Sequence, residues 1–208
     1  MTTDYDYIIW RITESEEELR ASLDHPEYFA QKTEKLKPGS RRLLEVLAVR
    51  RAMKELFEGE EQQVIYDDEG KPSLLQPEEG DFRTPGVQIS ISHTRDYVAV
   101  VSGPRPVGID IERRGTRVQK VVSHFLRHEE LALLTLQDDP DLCLHLAWSA
   151  KEAAYKVLGK AYYDLMNLTT VSRIDLGRRT MQLDVDNHAP FMVRLDWTED
   201  YVLAIVEE

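Results

Sequence analysis

The chain has 208 residues, of which 42% are hydrophobic and 31% are charged, and this balance is typical of a folded globular protein. The formal net charge of -12 disfavours a general nucleic-acid binder, because such proteins are usually basic. A mean hydropathy of -0.44 and the lack of a long apolar run predict no membrane span. The single cysteine, Cys143, excludes an intramolecular disulfide, and the first residues lack a basic secretory flank, so we expect a cytoplasmic protein.

Hydrophobic periodicity predicts a mixed succession of strands and helices. Thr13 and Glu16 have the spacing of a capping box, which predicts a helix after the first strand. Glycine, proline and acidic residues at positions 67–72 predict a turn. In chain order the predicted strands cover residues 7–12, 87–91, 96–101, 107–112, 170–176, 180–184, 191–196 and 201–206, and the later helices cover residues 40–57, 128–136 and 140–158.

A short internal repeat organises these elements. The segment Thr94-Arg95-Asp96-Tyr97-Val98 recurs as Thr198-Glu199-Asp200-Tyr201-Val202, at an offset of 198 − 94 = 104 residues. Five residues alone could match by chance, but the same offset places one predicted helix on another. We therefore expect an α+β (mixed α/β) pseudo-dimer of two similar halves, residues 1–104 and 105–208, each a helix packed on a small, mainly antiparallel sheet. We expect the active site in the cleft between the halves, because pockets favour such junctions.

Two carboxylates lie two residues apart on one predicted strand. Asp110 and Glu112 should therefore point to the same side, with Ile109 and Ile111 facing the core and the acids facing away from it. Carboxylate oxygens are the ligands that Mg²⁺ prefers, so this spacing suits a magnesium site. The alternative is a solvated strand face with two ordinary acids.

A second pair of charged residues lies on the helix predicted at residues 140–158. Glu152 and Lys156 are four residues apart and share a face beside the apolar stripe of this helix. That position suits the wall of a cleft. The alternative is an ordinary surface ion pair, worth roughly 0.3–0.5 kcal/mol.

Three further features lie in the first half. His93 follows Ser92 at the end of a predicted strand, Lys71 lies in a Gly-Lys-Pro turn, and Arg41 begins a helix. Helix N-termini and arginine side chains both favour phosphate. The alternatives are a structural histidine, a mobile turn with an exposed lysine, and a solvated arginine.

Taken together, these motifs resemble those of the 4′-phosphopantetheinyl transferase superfamily, in particular its longer, surfactin-synthetase-activating type. In order along the chain they are Gly70-Lys71-Pro72, Ser92-His93-Thr94, Gly108-Ile109-Asp110-Ile111-Glu112 and the segment from Trp148 to Lys156, W-S-A-K-E-A-A-Y-K. The family fold is a pseudo-dimer with the site between its halves, which agrees with the repeat found independently.

The resemblance implies an enzyme that transfers 4′-phosphopantetheine from coenzyme A to a serine of an apo acyl or peptidyl carrier protein, releasing 3′,5′-ADP. Asp110, Glu112 and Glu152 would hold Mg²⁺, with Mn²⁺ as the alternative. Glu152 would also accept the serine proton and Lys156 would contact the pyrophosphate. Coenzyme A is the substrate, and its implied binding residues are Arg41, Lys71, Ser92, His93 and Lys156.

The implied partners are coenzyme A and a carrier protein, with no nucleic acid and no membrane, and we expect a monomer. The segment at residues 125–131 resembles the family's F-x-x-x-E-x-x-L segment, which is commonly involved in carrier docking. Carriers are usually acidic, so we expect a basic patch on this acidic chain, with candidates Arg113, Arg114, Arg117 and Arg127. The rival interpretations are a non-catalytic homologue that binds coenzyme A or a carrier, and a magnesium-dependent hydrolase.

Overall fold

The computed structural model describes residues 4–75, 86–160 and 164–208. Contacts divide the chain into two compact units, Met1–Pro106 and Val107–Glu208, which we call the N-unit and the C-unit. This division falls two residues after the one proposed from the sequence.

The N-unit contains a long helix and a small antiparallel sheet. Its elements are β1 (Asp6–Arg11), α1 (Glu16–Ala21), a 3-10 turn (Pro26–Phe29), α2 (Ala30–Thr33), α3 (Arg41–Leu56), β2 (Val64–Tyr66), β3 (Pro72–Leu74), β4 (Gln88–Thr94) and β5 (Tyr97–Gly103). The sheet has the order β1-β5-β4, and β2 pairs with β3 in a separate hairpin. Leu43, Leu47 and Ala52 of α3 share a core with Val98 and Val100 of β5, so burial of the apolar stripe of α3 holds the unit together.

The C-unit has the same plan with a larger sheet. Its elements are β6 (Val107–Arg113), α4 (Arg117–Val121), a 3-10 turn (Val122–His124), α5 (His128–Thr135), α6 (Pro140–Leu158), α7 (Leu165–Leu168), β7 (Thr169–Asp175), β8 (Thr180–Val185), β9 (His188–Trp197) and β10 (Tyr201–Glu207). The strands follow the order β6-β10-β9-β8-β7, all antiparallel. Within the three described ranges, no helix is long and apolar enough to cross a membrane.

The strand order of the N-unit recurs in the C-unit. The order β1-β5-β4 matches β6-β10-β9, and the register agrees, because Arg11 pairs with Tyr97 and Arg113 pairs with Tyr201. The long helix packs on the matching two strands in each case, α3 on β1 and β5, and α6 on β6 and β10. The C-unit adds β7 and β8 at the far edge. These observations confirm the predicted α+β pseudo-dimer.

The first helix begins later than predicted. Ser15 is its N-cap and forms a capping box with Glu18, whose carboxylate accepts from the Ser15 N–H at 2.8 Å. Thr13 instead donates its N–H to the side chain of Glu14 at 2.9 Å. The prediction that Thr13 and Glu16 form the capping box was therefore wrong. Ser15 and Glu18 have the same spacing and form it instead. The short strands β2 and β3 and the helix α4 were also missed.

The predicted orientation of β6 was also wrong. Asp110 and Glu112 face α6, where they contact its side chains, and Ile109 and Ile111 point to the opposite side of the strand. Both isoleucines are buried as well, so both faces of β6 are covered. The apolar residues of this strand therefore do not show which face packs against α6.

A glycine allows α6 to lie close to β6. A Cβ at Gly108 would overlap the carbonyl oxygen of Ala153 and lie 3.0 Å from Cγ2 of Val157. No larger residue fits unless the helix moves away from the strand. This close approach brings the side chains of α6 within reach of the acids on β6.

Candidate functional site

Both carboxylate oxygens of Asp110 accept hydrogen bonds from side chains of α6. It is 5% exposed, and its Oδ1 atom accepts from Nζ of Lys156 at 3.0 Å while its Oδ2 atom accepts from Oγ of Ser149 at 3.0 Å. Lys156 also donates to the Ile109 carbonyl at 2.7 Å. The two donors lie on α6, so the register of the helix against β6 orients this carboxylate.

Glu112 is held from the same helix. Its Oε1 atom accepts from Nε1 of Trp148 at 3.1 Å. Trp148 and Ser149 were not singled out from the sequence as groups that hold the acids. The signal was available, because both belong to the W-S-x-K-E run and lie one turn before Glu152.

The carboxylates of this cluster perturb one another. Burial, and then the negative charge of Asp110, raise the pKa of Glu152 to about 7, although Lys156 opposes this shift. Burial and Asp110 also raise the pKa of Glu112, against the effect of Trp148 and neighbouring cations. Glu152 can therefore exchange a proton near neutral pH, which is the property required of a general base.

The cluster offers the right atoms for a hard cation. Asp110, Glu112 and Glu152 all present carboxylate oxygens. Burial, and then the repulsion from Asp110, raise the pKa values of Glu112 and Glu152, and a divalent cation would offset both effects. In the described part of the chain, however, no group of three or more histidine, cysteine or acidic side chains is arranged to hold a metal ion. The donor chemistry fits Mg²⁺, but these side chains do not yet surround a common centre.

A second group of charged side chains lies in the N-unit. A cavity of about 150 Å³ is lined by Arg42 and His93, and these two side chains are in hydrogen-bond contact. Arg41, the arginine named from the sequence, does not line this cavity and instead contacts Asp96 at 3.2 Å. Neighbouring residues on a helix point about 100° apart. Which of the two arginines lines the cavity therefore depends on the rotation of α3 about its axis.

The remaining residues named from the sequence, Lys71 and Ser92, are neighbours of lining residues but do not line this cavity themselves. Gly70 and Pro72 line its wall, and the side chain of Lys71 between them is exposed. The backbone N–H of Lys71 donates to Asp67 at 2.9 Å, which fixes the turn. Ser92 is buried and precedes His93 on β4.

The expected docking segment is partly buried. Glu130, in the F-x-x-x-E-x-x-L pattern, is 1% exposed and its Oε1 atom pairs with Nζ of Lys151 at 2.8 Å. Two arginines of the expected basic patch also have internal contacts, since Arg114 pairs with Asp139 at 3.4 Å and Arg127 donates to Thr170 at 3.3 Å.

Comparison with known proteins finds matches to one family. Residues 106–206 match the family model described as the 4′-phosphopantetheinyl transferase superfamily. The chain is 30% identical over 159 residues to the 4′-phosphopantetheinyl transferase psf-1 of Bacillus pumilus, covering 74% of this chain and 64% of that protein. It is 29% identical over 125 residues to a 4′-phosphopantetheinyl transferase of Bacillus subtilis, covering 58% of this chain and 55% of that protein.

The aligned region spans less than two thirds of either relative. The family match covers β6 and α6, and with them the whole cluster of carboxylates described above. Residues 106–206, which include this cluster, are therefore similar to the 4′-phosphopantetheinyl transferase superfamily.

Proposed function

We propose that this protein transfers 4′-phosphopantetheine from coenzyme A to a serine of an apo acyl or peptidyl carrier protein. The observation that carries the proposal is the cluster on β6 and α6. It combines three carboxylates with a lysine that donates to one of them at 3.0 Å. In the proposed reaction the serine oxygen forms a bond to the phosphorus that carries pantetheine, the bond from that phosphorus to the bridging oxygen breaks, and 3′,5′-ADP leaves.

Glu152 is the proposed general base. Burial, and then the charge of Asp110, raise its pKa to about 7 in the metal-free protein, so this carboxylate can take up the proton that the serine hydroxyl loses. Lys156 is the proposed partner of the leaving group. Its ammonium already holds a carboxylate oxygen of Asp110, and the same group suits a phosphate oxygen that gains negative charge as the bond breaks.

Asp110, Glu112 and Glu152 are the proposed ligands of Mg²⁺, with Mn²⁺ as the alternative. A divalent cation supplies positive charge that offsets the charge on phosphoryl oxygens. Ser149 and Trp148 would then keep Asp110 and Glu112 in place, because each donates a hydrogen bond to one of these acids.

The N-unit cavity is the proposed site for a phosphate of coenzyme A. Arg42 and His93 line it, and both side chains are donors suited to phosphate oxygens. We propose auxiliary contacts from Lys71, Ser92 and Arg41, as the family resemblance implies.

Arg113 and Arg117 are the proposed contacts for the carrier. Both are exposed and line a cavity of about 120 Å³ next to Glu112 and Trp148. Their charge suits an acidic partner, and reversing both should raise KM for the carrier without changing KM for coenzyme A. The cytoplasmic location and the monomeric state remain predictions.

The test is the intact mass of an apo carrier after incubation with the protein, coenzyme A and Mg²⁺. We expect a gain of one phosphopantetheine with a suitable carrier, lost with EDTA, and a loading rate about 10²–10⁴-fold lower for Glu152→Gln. Glu199→Gln is the matched control, because Glu199 is an exposed acid on the turn between β9 and β10.

The product distinguishes the rival functions. Release of 3′,5′-ADP only when apo carrier is present indicates transfer, and release without a carrier indicates hydrolysis. Coenzyme A binding with neither product, across a panel of fatty-acid, polyketide and peptide-synthesis carriers, would contradict the proposed transfer and favour a binding homologue.

A further inference from the structure

One acidic side chain lies among the cations of the N-unit cavity. Lys32, Arg42, Arg50 and His93 line the cavity, and among the described residues of its wall Glu45 is the only acid. The side chain of Glu45 is 13% exposed and projects from the second turn of α3. A carboxylate in a proposed phosphate site requires an explanation, because it would repel the ligand.

The carboxylate of Glu45 is held as a phosphate oxygen would be. Its Oε2 atom lies 3.3 Å from Nη1 of Arg42 and 3.4 Å from Nδ1 of His93. Its Oε1 atom lies 3.8 Å from Nε of Arg41. One oxygen thus contacts both a guanidinium and an imidazole, the two donors proposed above for phosphate.

Two further cations, Arg50 and Lys32, line the cavity and have no ion pair with Glu45. Arg50 is 5% exposed, and its Nε atom has no hydrogen-bond partner among the described residues. Nζ of Lys32 lies 3.7 Å from the centre of the Tyr66 ring, which also lines the cavity. The cavity therefore remains cationic with Glu45 in place and can accept a ligand with more than one negative charge.

We propose that Glu45 competes with the phosphate of the bound nucleotide for Arg42 and His93. In the free protein Glu45 occupies both donors, and an incoming phosphate takes its place. The competition weakens binding of coenzyme A and of the product 3′,5′-ADP alike, and it favours release of the product after each transfer. Only the identity of the ligand rests on the proposed function.

The test is the Kd of 3′,5′-ADP, measured by titration calorimetry without metal and without carrier. We expect Glu45→Gln to bind roughly 3- to 10-fold more tightly than the wild type, the size expected when one partly exposed repulsive charge is removed. Glu55→Gln is the matched control. Glu55 lies on the same helix, pairs with Arg51 at 3.0 Å and does not line the cavity, so its Kd should match the wild type.

A second variant separates competition from a general change in charge. The gain from Glu45→Gln should shrink when Arg42→Gln is also present, because one of the two contested donors is then missing and only His93 remains. Equal or weaker binding by Glu45→Gln, with an unchanged unfolding curve, would overturn the proposal and show that Glu45 orients Arg42. A gain of undiminished size without Arg42, or no binding of 3′,5′-ADP to either protein, would also overturn it.

These outcomes are independent of carrier loading. A protein that binds 3′,5′-ADP more tightly after Glu45→Gln but loads no carrier would contradict the proposed transfer and leave the competition standing. A protein that loads a carrier but binds 3′,5′-ADP no more tightly after Glu45→Gln would support the proposed transfer and contradict the competition.

Discussion

The long helices of the two units each bury one cation, and the two cations differ in how completely their polar atoms are paired. Lys151 of α6 is 0% exposed and donates to the carbonyls of Phe125 and Thr169 at 2.7 Å and 2.9 Å, in addition to its ion pair with Glu130. Arg50 of α3 is also buried, yet its Nε atom has no partner among the described residues. Burial lowers the pKa of both side chains, but only Lys151 has a buried carboxylate that opposes this shift.

The strands show the same division of roles. In the shared register, the counterparts of Asp110 and Glu112 are Ile8 and Trp10 on β1. Ile8 and Trp10 pack on the core of the N-unit, whereas the acids meet polar groups of α6. One topology therefore supports an apolar core at these positions in one copy and a reactive cluster in the other.

The largest expected effect comes from the two buried cations. Lys151→Met leaves Glu130 as a buried charge without its partner and should lower the free energy of unfolding by about 3–5 kcal/mol. Arg50→Met removes a poorly paired cation and should change it by no more than about 1 kcal/mol. Denaturant titration of both variants measures the difference. Equal losses would show that the two cations have the same structural role.

The next effect concerns the close approach of helix and strand. Gly108→Ala should lower the free energy of unfolding by about 1–3 kcal/mol or more, because the new methyl group overlaps the Ala153 carbonyl. Its counterpart in the N-unit is Asp6, which is exposed, and Asp6→Ala should have little effect. A neutral Gly108→Ala, measured by thermal or chemical unfolding, would contradict the tight packing described for α6.

The smallest effect is a pH dependence confined to the C-unit cluster. The pKa of Glu152 is raised to about 7 in the folded protein, so its contribution to stability is complete below about pH 4.5 and is lost as the pH rises through 7. In EDTA, Glu152→Gln should gain about 1–2 kcal/mol of stability over the wild type between pH 5 and pH 8.

Two controls define this last measurement. Glu55→Gln, on the exposed face of α3, should show no such pH-dependent difference. Adding Mg²⁺ at pH 8 should stabilise the wild type more than Glu152→Gln. Parallel pH profiles for the wild type and Glu152→Gln would show that Glu152 has an ordinary pKa.

Two periodic features of the sequence predicted the fold class. The alternation of apolar residues gave most strands, and the offset of 104 residues related the two halves. The spacing of Asp110 and Glu112 placed both on one side of a strand, and the structure has them so. The sequence did not show which side of the strand they face. Both sides of β6 are buried, so the alternation of residues does not distinguish the side that packs against α6.

Tertiary contacts account for the features that the sequence did not predict. A lysine in a helix is normally exposed, so nothing indicated that Lys151 would be buried with Glu130, which lies on another helix. The meeting of Glu45 with His93 depends equally on how α3 packs against β4. A spacing pattern describes one element, whereas these contacts join two.

Lys151 and Glu152 are adjacent on α6 and point in different directions, one into the core and the other towards the acids of β6. The contacts of Lys151 reach Glu130 on α5 and the Thr169 carbonyl of β7, so they fix the rotation of α6 about its own axis. Any turning of the helix that changes the direction of Glu152 must first break this buried ion pair. We therefore expect α5, α6 and the start of β7 to move as one rigid body, so that adjustment to a substrate falls to side chains and loops.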